Sequence, residues 1–300
     1  MIAPGAAVTA RLMEPRSSFY TARRLRLHYL EWGDPAAPPV ILVHGGRDNA
    51  HSWDAIAAAL AERHRVIVPD LAGHGDSEWT NSGDYPVNGY AFDIAHLITL
   101  LGIEKLPLVG HSLGGHIALR IAAARPEVVT RLVSIEGMGP PPAILAERAG
   151  MSQAEKVRQW LDAAEAIEPR RPKRYATIEA ALERMREQNS HLSAELALHL
   201  TRHGLRQNED GSWGWKFDNR FYLIAHERST EEELKELCTA VACPTLLIYG
   251  AESWASNPAK DGRAAYFSDV RVELLENAGH WPHHDREDAV LPMIRDFVAG

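Results

Sequence analysis

A serine hydroxyl attacks a carbonyl group once a base takes its proton and a carboxylate steadies the base, and this chain holds residues suited to each task. Ser112 stands in Gly110-His111-Ser112-Leu113-Gly114, after an apolar run at residues 106–109 and before Ile117, Ala118, Ile121 and Ala122 at helical spacing. A serine on such a strand-to-helix turn lifts its oxygen clear of the sheet. Gly110 and Gly114 are expected to let the backbone hold the strained conformation this requires. With 22 glycines among 300 residues the five-residue pattern alone is weak, so the flanking strand and helix carry the inference.

The base is sought among 15 histidines. His280 follows the last expected strand (residues 270–275) in Asn277-Ala278-Gly279-His280-Trp281, where a flexible loop can return an imidazole to Ser112. His283 and His284 lie nearer the closing helix and read as surface histidines. Two carboxylates compete as the acid: Glu136, at the end of the strand after the Ser112 helix, and Glu252, in Gly250-Ala251-Glu252-Ser253. Glu136 is favoured, because a carboxylate at the tip of a buried strand points where ligands bind in open α/β sheets.

These residues need a sheet to hold them. Continuous apolar runs at residues 40–43, 66–68, 106–109 and 245–249, with 131–135, read as strands buried on both faces. Helices are expected between them over 52–63 and 88–101, and at the end over 286–298. Such alternation indicates a parallel sheet with helices on both faces. Leu25, Leu27 and Tyr29 alternate like an amphipathic lead-in strand, ending at the turn Gly33-Asp34-Pro35. The alternation stops after Gly137; to about Cys238 the chain is richer in charge and mostly helical in period (Val157, Trp160, Leu161, Ala164; Ile178, Leu182, Met185). An α/β core of residues 1–137 and 241–300 with a cap of 138–240 is therefore expected. Asp70 and the loop 71–77 are expected to shape the sheet edge, and His44 to brace the loop after its strand.

The Ser112 turn, His44-Gly45-Gly46, Gly73-His74-Gly75-Asp76-Ser77 and Gly279-His280 together resemble the α/β-hydrolase superfamily over nearly the whole chain. The order serine, acid, histidine matches that resemblance. More narrowly, His44-Gly45 with Asp48-Asn49-Ala50, and Asn189-Ser190-His191-Leu192-Ser193 in the expected cap, resemble the serine hydrolase-like proteins. The resemblance implies the α/β-hydrolase fold: a mostly parallel sheet, helices on both faces and an inserted, mainly helical cap. It also implies oxyanion donors at the Gly46 and Leu113 backbone N–H groups. Many members carry an aspartate where this chain has Ser253; some branches use the site of Glu136 instead. Arg47, Met138, Trp213, Trp215, Trp254 and Trp281 are candidate pocket residues.

A formal net charge of −8 and the lack of a dense basic stripe argue against nucleic acid as partner; Arg170, Arg171, Lys173 and Arg174 read as a solvated loop. Residues 1–14 lack a signal-peptide pattern and no stretch has the length of a membrane span, so a cytoplasmic location is expected. Cys238 and Cys243 read as reduced structural thiols; no Cys/His spacing suggests zinc, and neither metal nor cofactor is expected. The expected reaction is hydrolysis of a small or medium carboxylic ester through an acyl-enzyme on Ser112. A thioester, lactone or carbon-carbon bond would use the same parts. Dehalogenation and epoxide hydrolysis call for a carboxylate where Ser112 stands. Ser253 motivates the alternative of a ligand-binding or receptor-like protein with little turnover. Nothing in the sequence bears on oligomeric state.

Overall fold

The computed structural model describes residues 14–226 and 230–300; the N-terminal stretch read for a signal lies outside them up to Met13. The chain opens with β1 (Arg16–Ala22) and β2 (Leu25–Trp32), an antiparallel hairpin. β3 (Pro39–Val43) leads through a 3-10 turn (Ala50–Trp53) to α1 (Asp54–Leu60) and β4 (Arg65–Pro69). α2 (Val87–Leu100), β5 (Leu106–His111), α3 (Leu113–Ala124) and β6 (Val129–Ile135) follow.

The long connection after β6 carries α4 (Pro142–Ala149), α5 (Gln153–Ile167), β7 (Arg174–Tyr175), α6 (Ile178–Gln188), α7 (Ala194–Gly204), β8 (Leu205–Gln207), β9 (Trp213–Trp215) and α8 (Glu231–Ala240). β10 (Thr245–Gly250), β11 (Val270–Leu275) and a closing helix (Glu287–Ala299) complete the chain.

The main sheet runs β1-β2-β4-β3-β5-β6-β10-β11, antiparallel at β1, β2 and β4 and parallel from β4 onward. Its unbroken apolar runs are explained by burial on both faces. Ile41, Val43, Ile67, Leu108, Leu132 and Leu247 pack on one side with Ile94 and Leu97 of α2 and Ile117 and Ile121 of α3. Val40, Leu42, Val66, Val109, Val133 and Ile248 pack on the other with Ile56 and Leu60 of α1 and Val290 and Ile294 of the closing helix. β2 departs from the amphipathic expectation: residues 27–32 are all buried, with Glu31 held by Arg16 and Arg65 at 2.5 and 3.0 Å.

β7, β9 and β8 form a separate three-stranded sheet, and Tyr175, Ala181 and Leu205 make a small core there. Thr177 and Ser193 cap α6 and α7 by accepting the Ala180 and Leu196 N–H groups at 3.2 and 3.1 Å. The end of α6 at Gln188 and the Ser193 cap of α7 bound the segment 189–193 between the two helices. α8 instead sends Leu234 and Cys238 into the main core. Both cysteines are free and buried.

Candidate active site

Because β3, β5, β6 and β10 are sheet neighbours in register, Gly110 opposite Ser134 and Ile135 opposite Ile248, their carboxyl ends deliver Gly45-Gly46, Ser112, Glu136 and Gly250 to one edge. Ser112 has φ 50° and ψ −114°, and its N–H donates to Ile135 O at 2.8 Å. Glu136 has φ 55°, with its N–H on Ile248 O at 3.0 Å. Strained non-glycine backbone of this kind persists where surroundings over-determine it, and it clusters at functional sites. Arg47, at φ 63°, lies at the same edge.

The strain was expected at Gly110 and Gly114, yet neither adopts positive φ. They are small for another reason: a Cβ at Gly110 would stand 2.3 Å from Gly114 O, and one at Gly114 would stand 2.2 Å from Val43 O. The serine itself carries the strained conformation.

His280 Nε2 lies 3.0 Å from Ser112 Oγ, and His280 Nδ1 lies 3.1 Å from Glu136 Oε2. The Glu136 carboxylate is buried. Its Oε1 accepts the Gly250 N–H at 2.8 Å, and its Oε2 also accepts the Ser253 hydroxyl at 2.6 Å. Ser253 therefore hydrogen-bonds the carboxylate that faces His280. Glu252, the competing carboxylate, is exposed and stands 3.7 Å from His191 Nε2.

The His280 loop is pinned from two sides that its sequence pattern did not announce. Asp285 Oδ2 accepts the Gly279 N–H at 2.8 Å, and His111 Nε2–H donates to His280 O at 2.8 Å. Burial, reinforced by the nearby His280 imidazole, holds the His111 pKa well below the usual histidine range, so the ring is a neutral donor. The indole of Trp254 covers the other side of His280, ring centroids 4.5 Å apart.

His283 corrects a reading. Expected at the surface, it is buried, stacked on Trp53 at 4.7 Å and set 4.5 Å from the His111 ring, because Pro282 opens a helical turn over residues 282–285 that directs it inward. Nearby, buried Asp48 accepts the Asn49 N–H at 2.9 Å, and burial pushes its carboxyl up to about 6. Donor atoms of Asp48, His111 and His283 lie within 4.8 Å of one another.

The loop after β3 is braced as its composition suggested. His44 Nε2 accepts the Leu71 N–H at 3.0 Å; Asp70 accepts from Ala50 and Asp76 N–H groups at 2.7 and 2.9 Å and from His28 Nδ1 at 2.7 Å. The braced loop sets Gly45 beside Ser112, where a Cβ would stand 3.3 Å from the Ser112 Cβ, and Gly46 follows it. The Leu113 N–H, first in α3, has no carbonyl one turn earlier to bond. Both residues line a cavity of about 440 Å³ with Ser112, His280, Arg47, Trp254 and Trp281.

Residues 188–192 and the aromatic pair Phe221 and Tyr222 form much of its remaining wall. The Arg47 guanidinium lies 5.6 Å from the Tyr222 ring centroid. Phe221 and Tyr222 escaped the sequence reading, which had no long-range contact to bring them to the edge. Trp215 lines an adjoining cavity of about 260 Å³ that shares Arg47 and Trp281. Trp213 packs on the small core of Tyr175, Ala181 and Leu205, and Met138 is buried in the main core with its N–H on Tyr249 Oη at 3.3 Å. Neither lines the cavity; Met138 lies beyond the end of β6, in the core.

A family model described as the alpha/beta hydrolase fold matches residues 38–287. The chain belongs to the α/β-hydrolase fold family. An uncharacterized protein of Mycobacterium tuberculosis is 41% identical over 104 residues, a match that spans 35% of this α/β-hydrolase-fold chain and only 30% of that relative's length. An esterase of the same species is 27% identical over 273 residues, covering 90% of the chain and 85% of the esterase. Among solved structures, that of a hypothetical protein from Pseudomonas aeruginosa PAO1 superposes with a TM-score of 0.83 at 28% identity, covering 96% of this chain and all of the other. No helix among the described residues is long and apolar enough to cross a membrane.

Proposed function

We propose that the protein is a serine hydrolase that cleaves a small or medium carboxylic ester through an acyl-enzyme on Ser112. The observation that carries this reading is the unbroken chain from Ser112 Oγ through both nitrogens of His280 to the buried Glu136 carboxylate, with separations of 3.0 and 3.1 Å. His280 Nε2 takes the Ser112 proton as the oxygen attacks the carbonyl carbon. Glu136 keeps the proton of Nδ1 in place and stabilises the imidazolium that forms. The Leu113 and Gly46 N–H groups receive the oxyanion, and His280 returns its proton to the leaving alcohol. Water, activated by the same imidazole, then releases the acid.

The cavity of about 440 Å³ falls within the range that holds small-molecule ligands, and Phe221, Trp254 and Trp281 give it an apolar lining for an acyl chain. The segment over residues 138–240 acts as a cap, with 188–192 forming part of the cavity wall. The likeness to a mycobacterial esterase over 90% of the chain supports an ester substrate. The alternative of a binding protein with little turnover rested on the serine at position 253; a carboxylate at Glu136 in contact with His280 weakens it.

The test is a fluorophosphonate probe together with p-nitrophenyl esters of increasing acyl length, with Ser112→Ala as control. Covalent labelling and turnover that both vanish in the variant are expected. An unlabelled wild-type protein inert on every ester overturns the proposal.

A further inference from the structure

Outside the residues that line the cavity, side chains from two distant segments meet. His51 lies in the 3-10 turn after the Gly46 loop, and Asp54 opens α1. His199 and His203 stand four residues apart on α7, hence on one face of that helix. Asp54 Oδ2 is approached by His51 Nδ1 at 2.9 Å and by His199 Nε2 at 3.2 Å. The His203 ring stacks on His51 at 3.8 Å and lies 4.6 Å from His199. Donor atoms of His51, Asp54 and His203 all fall within 4.8 Å of one another.

We propose that His51, Asp54, His199 and His203 form a binding site for a borderline transition-metal dication such as Zn²⁺, which ties α7 to the loop carrying Gly46. Three imidazoles and one carboxylate are the donor set such ions take, in tetrahedral geometry with bonds of about 2.0–2.2 Å. A tetrahedron of that size has donor-donor edges of about 3.3–3.6 Å. The two separations to Asp54 Oδ2 already approach this, before any ion draws the ligands into place. His203 makes ring contacts and no hydrogen bond among the described residues, so its ring is free to turn from its stack, 30° from parallel with His51, and offer a nitrogen. The cluster is half-buried, which leaves an entry path.

The position gives the site a consequence. Residues 188–192, a wall of the cavity, run directly into α7, while His51 is five residues beyond Gly46. His199 Nε2–H donates to His51 O at 3.1 Å across the same gap, a bond that gives way to the ion when Nε2 loses its proton and ligates it. An ion here holds the wall and the Gly46 loop in fixed relation. Spacing along the chain hid the site because its halves lie about 145 residues apart.

The experiment titrates metal-stripped protein with Zn²⁺ by calorimetry and with Co²⁺ by visible absorption. One equivalent per chain is expected, with the intense bands of tetrahedral Co²⁺ and a melting midpoint raised by several degrees. The double variant His199→Ala/His203→Ala should weaken Zn²⁺ binding at least 100-fold, while His280→Ala retains it. If the alanine pair does not fold, His203→Gln serves, with an expected loss of at least 10-fold. Absence of stoichiometric binding by the wild-type protein overturns the proposal. So does binding that survives in the His199/His203 variants and disappears in His280→Ala, which would put the metal on the proposed base.

Discussion

Replacing Glu136 by glutamine exchanges one oxygen for an amide nitrogen in a place where every neighbour donates. Gly250 N–H lies 2.8 Å from Oε1; the Ser253 hydroxyl and His280 Nδ1 lie 2.6 and 3.1 Å from Oε2. If the glutamine NH₂ takes the Oε1 position, it faces the Gly250 donor and leaves buried N–H groups unpaired, at about 1–3 kcal/mol. If it takes the Oε2 position, it donates to His280 Nδ1, the proton moves to Nε2, and the imidazole can no longer accept from Ser112. Loss of the imidazolium's counter-charge adds to either outcome.

A fall in kcat of about 10³- to 10⁴-fold is expected, equivalent to about 4–5.5 kcal/mol of transition-state stabilisation. Steady-state kinetics on the best p-nitrophenyl ester measures it, with Glu252→Gln beside it. Glu252 is exposed, its carboxylate 3.7 Å from His191 Nε2, so its variant should stay within about threefold of wild type. Near-normal turnover by Glu136→Gln, or collapse of Glu252→Gln, refutes the assignment of the acid.

Three further outcomes follow from neighbouring geometry. Ser253→Asp should impair turnover in the wild-type background by crowding two carboxylates about 3 Å apart, yet recover at least 10-fold of the activity lost in Glu136→Ala when the two changes are combined, because position 253 reaches the same site. Gly46→Ala should lower kcat by about 10- to 100-fold, since its Cβ would meet Phe221 Cε2 at 2.6 Å and displace an oxyanion donor; stopped-flow acylation with the same ester reads it. Asp48→Asn should be stabilising with a definite pH signature. The Asp48 pKa is raised by burial from 3.8 to about 6, so its folded state holds a proton that the unfolded chain releases, and stability falls as pH climbs through that window. Urea melts should show the variant level with wild type near pH 4 and ahead by about 2–3 kcal/mol at pH 7; a pH-independent difference rules this out.

Much of the architecture was legible because its physics is local. Strands buried on both faces must be apolar throughout, so β3, β4, β5 and β10 announce themselves as short hydrophobic runs. β1 escaped notice: Arg16-Ser17-Ser18-Phe19 sits at an exposed edge, where pairing with β2 rather than burial makes the strand. His283 misled for the opposite reason, since a histidine carries no mark of burial until Trp53 and His111 close around it.

The sequence by itself determined that Ser112 would stand on a strand-to-helix turn and that a histidine would follow the last strand, since both depend on patterns a few residues long. Only the tertiary structure sets Glu136, and not Glu252, against His280. β6 lies between β5 and β10, so the Glu136 carboxylate reaches His280 while Ser253 and Gly250 hold it from the far side. Which strand tips become neighbours is set by sheet order, and sheet order is a property of the packed whole that no short stretch of chain encodes.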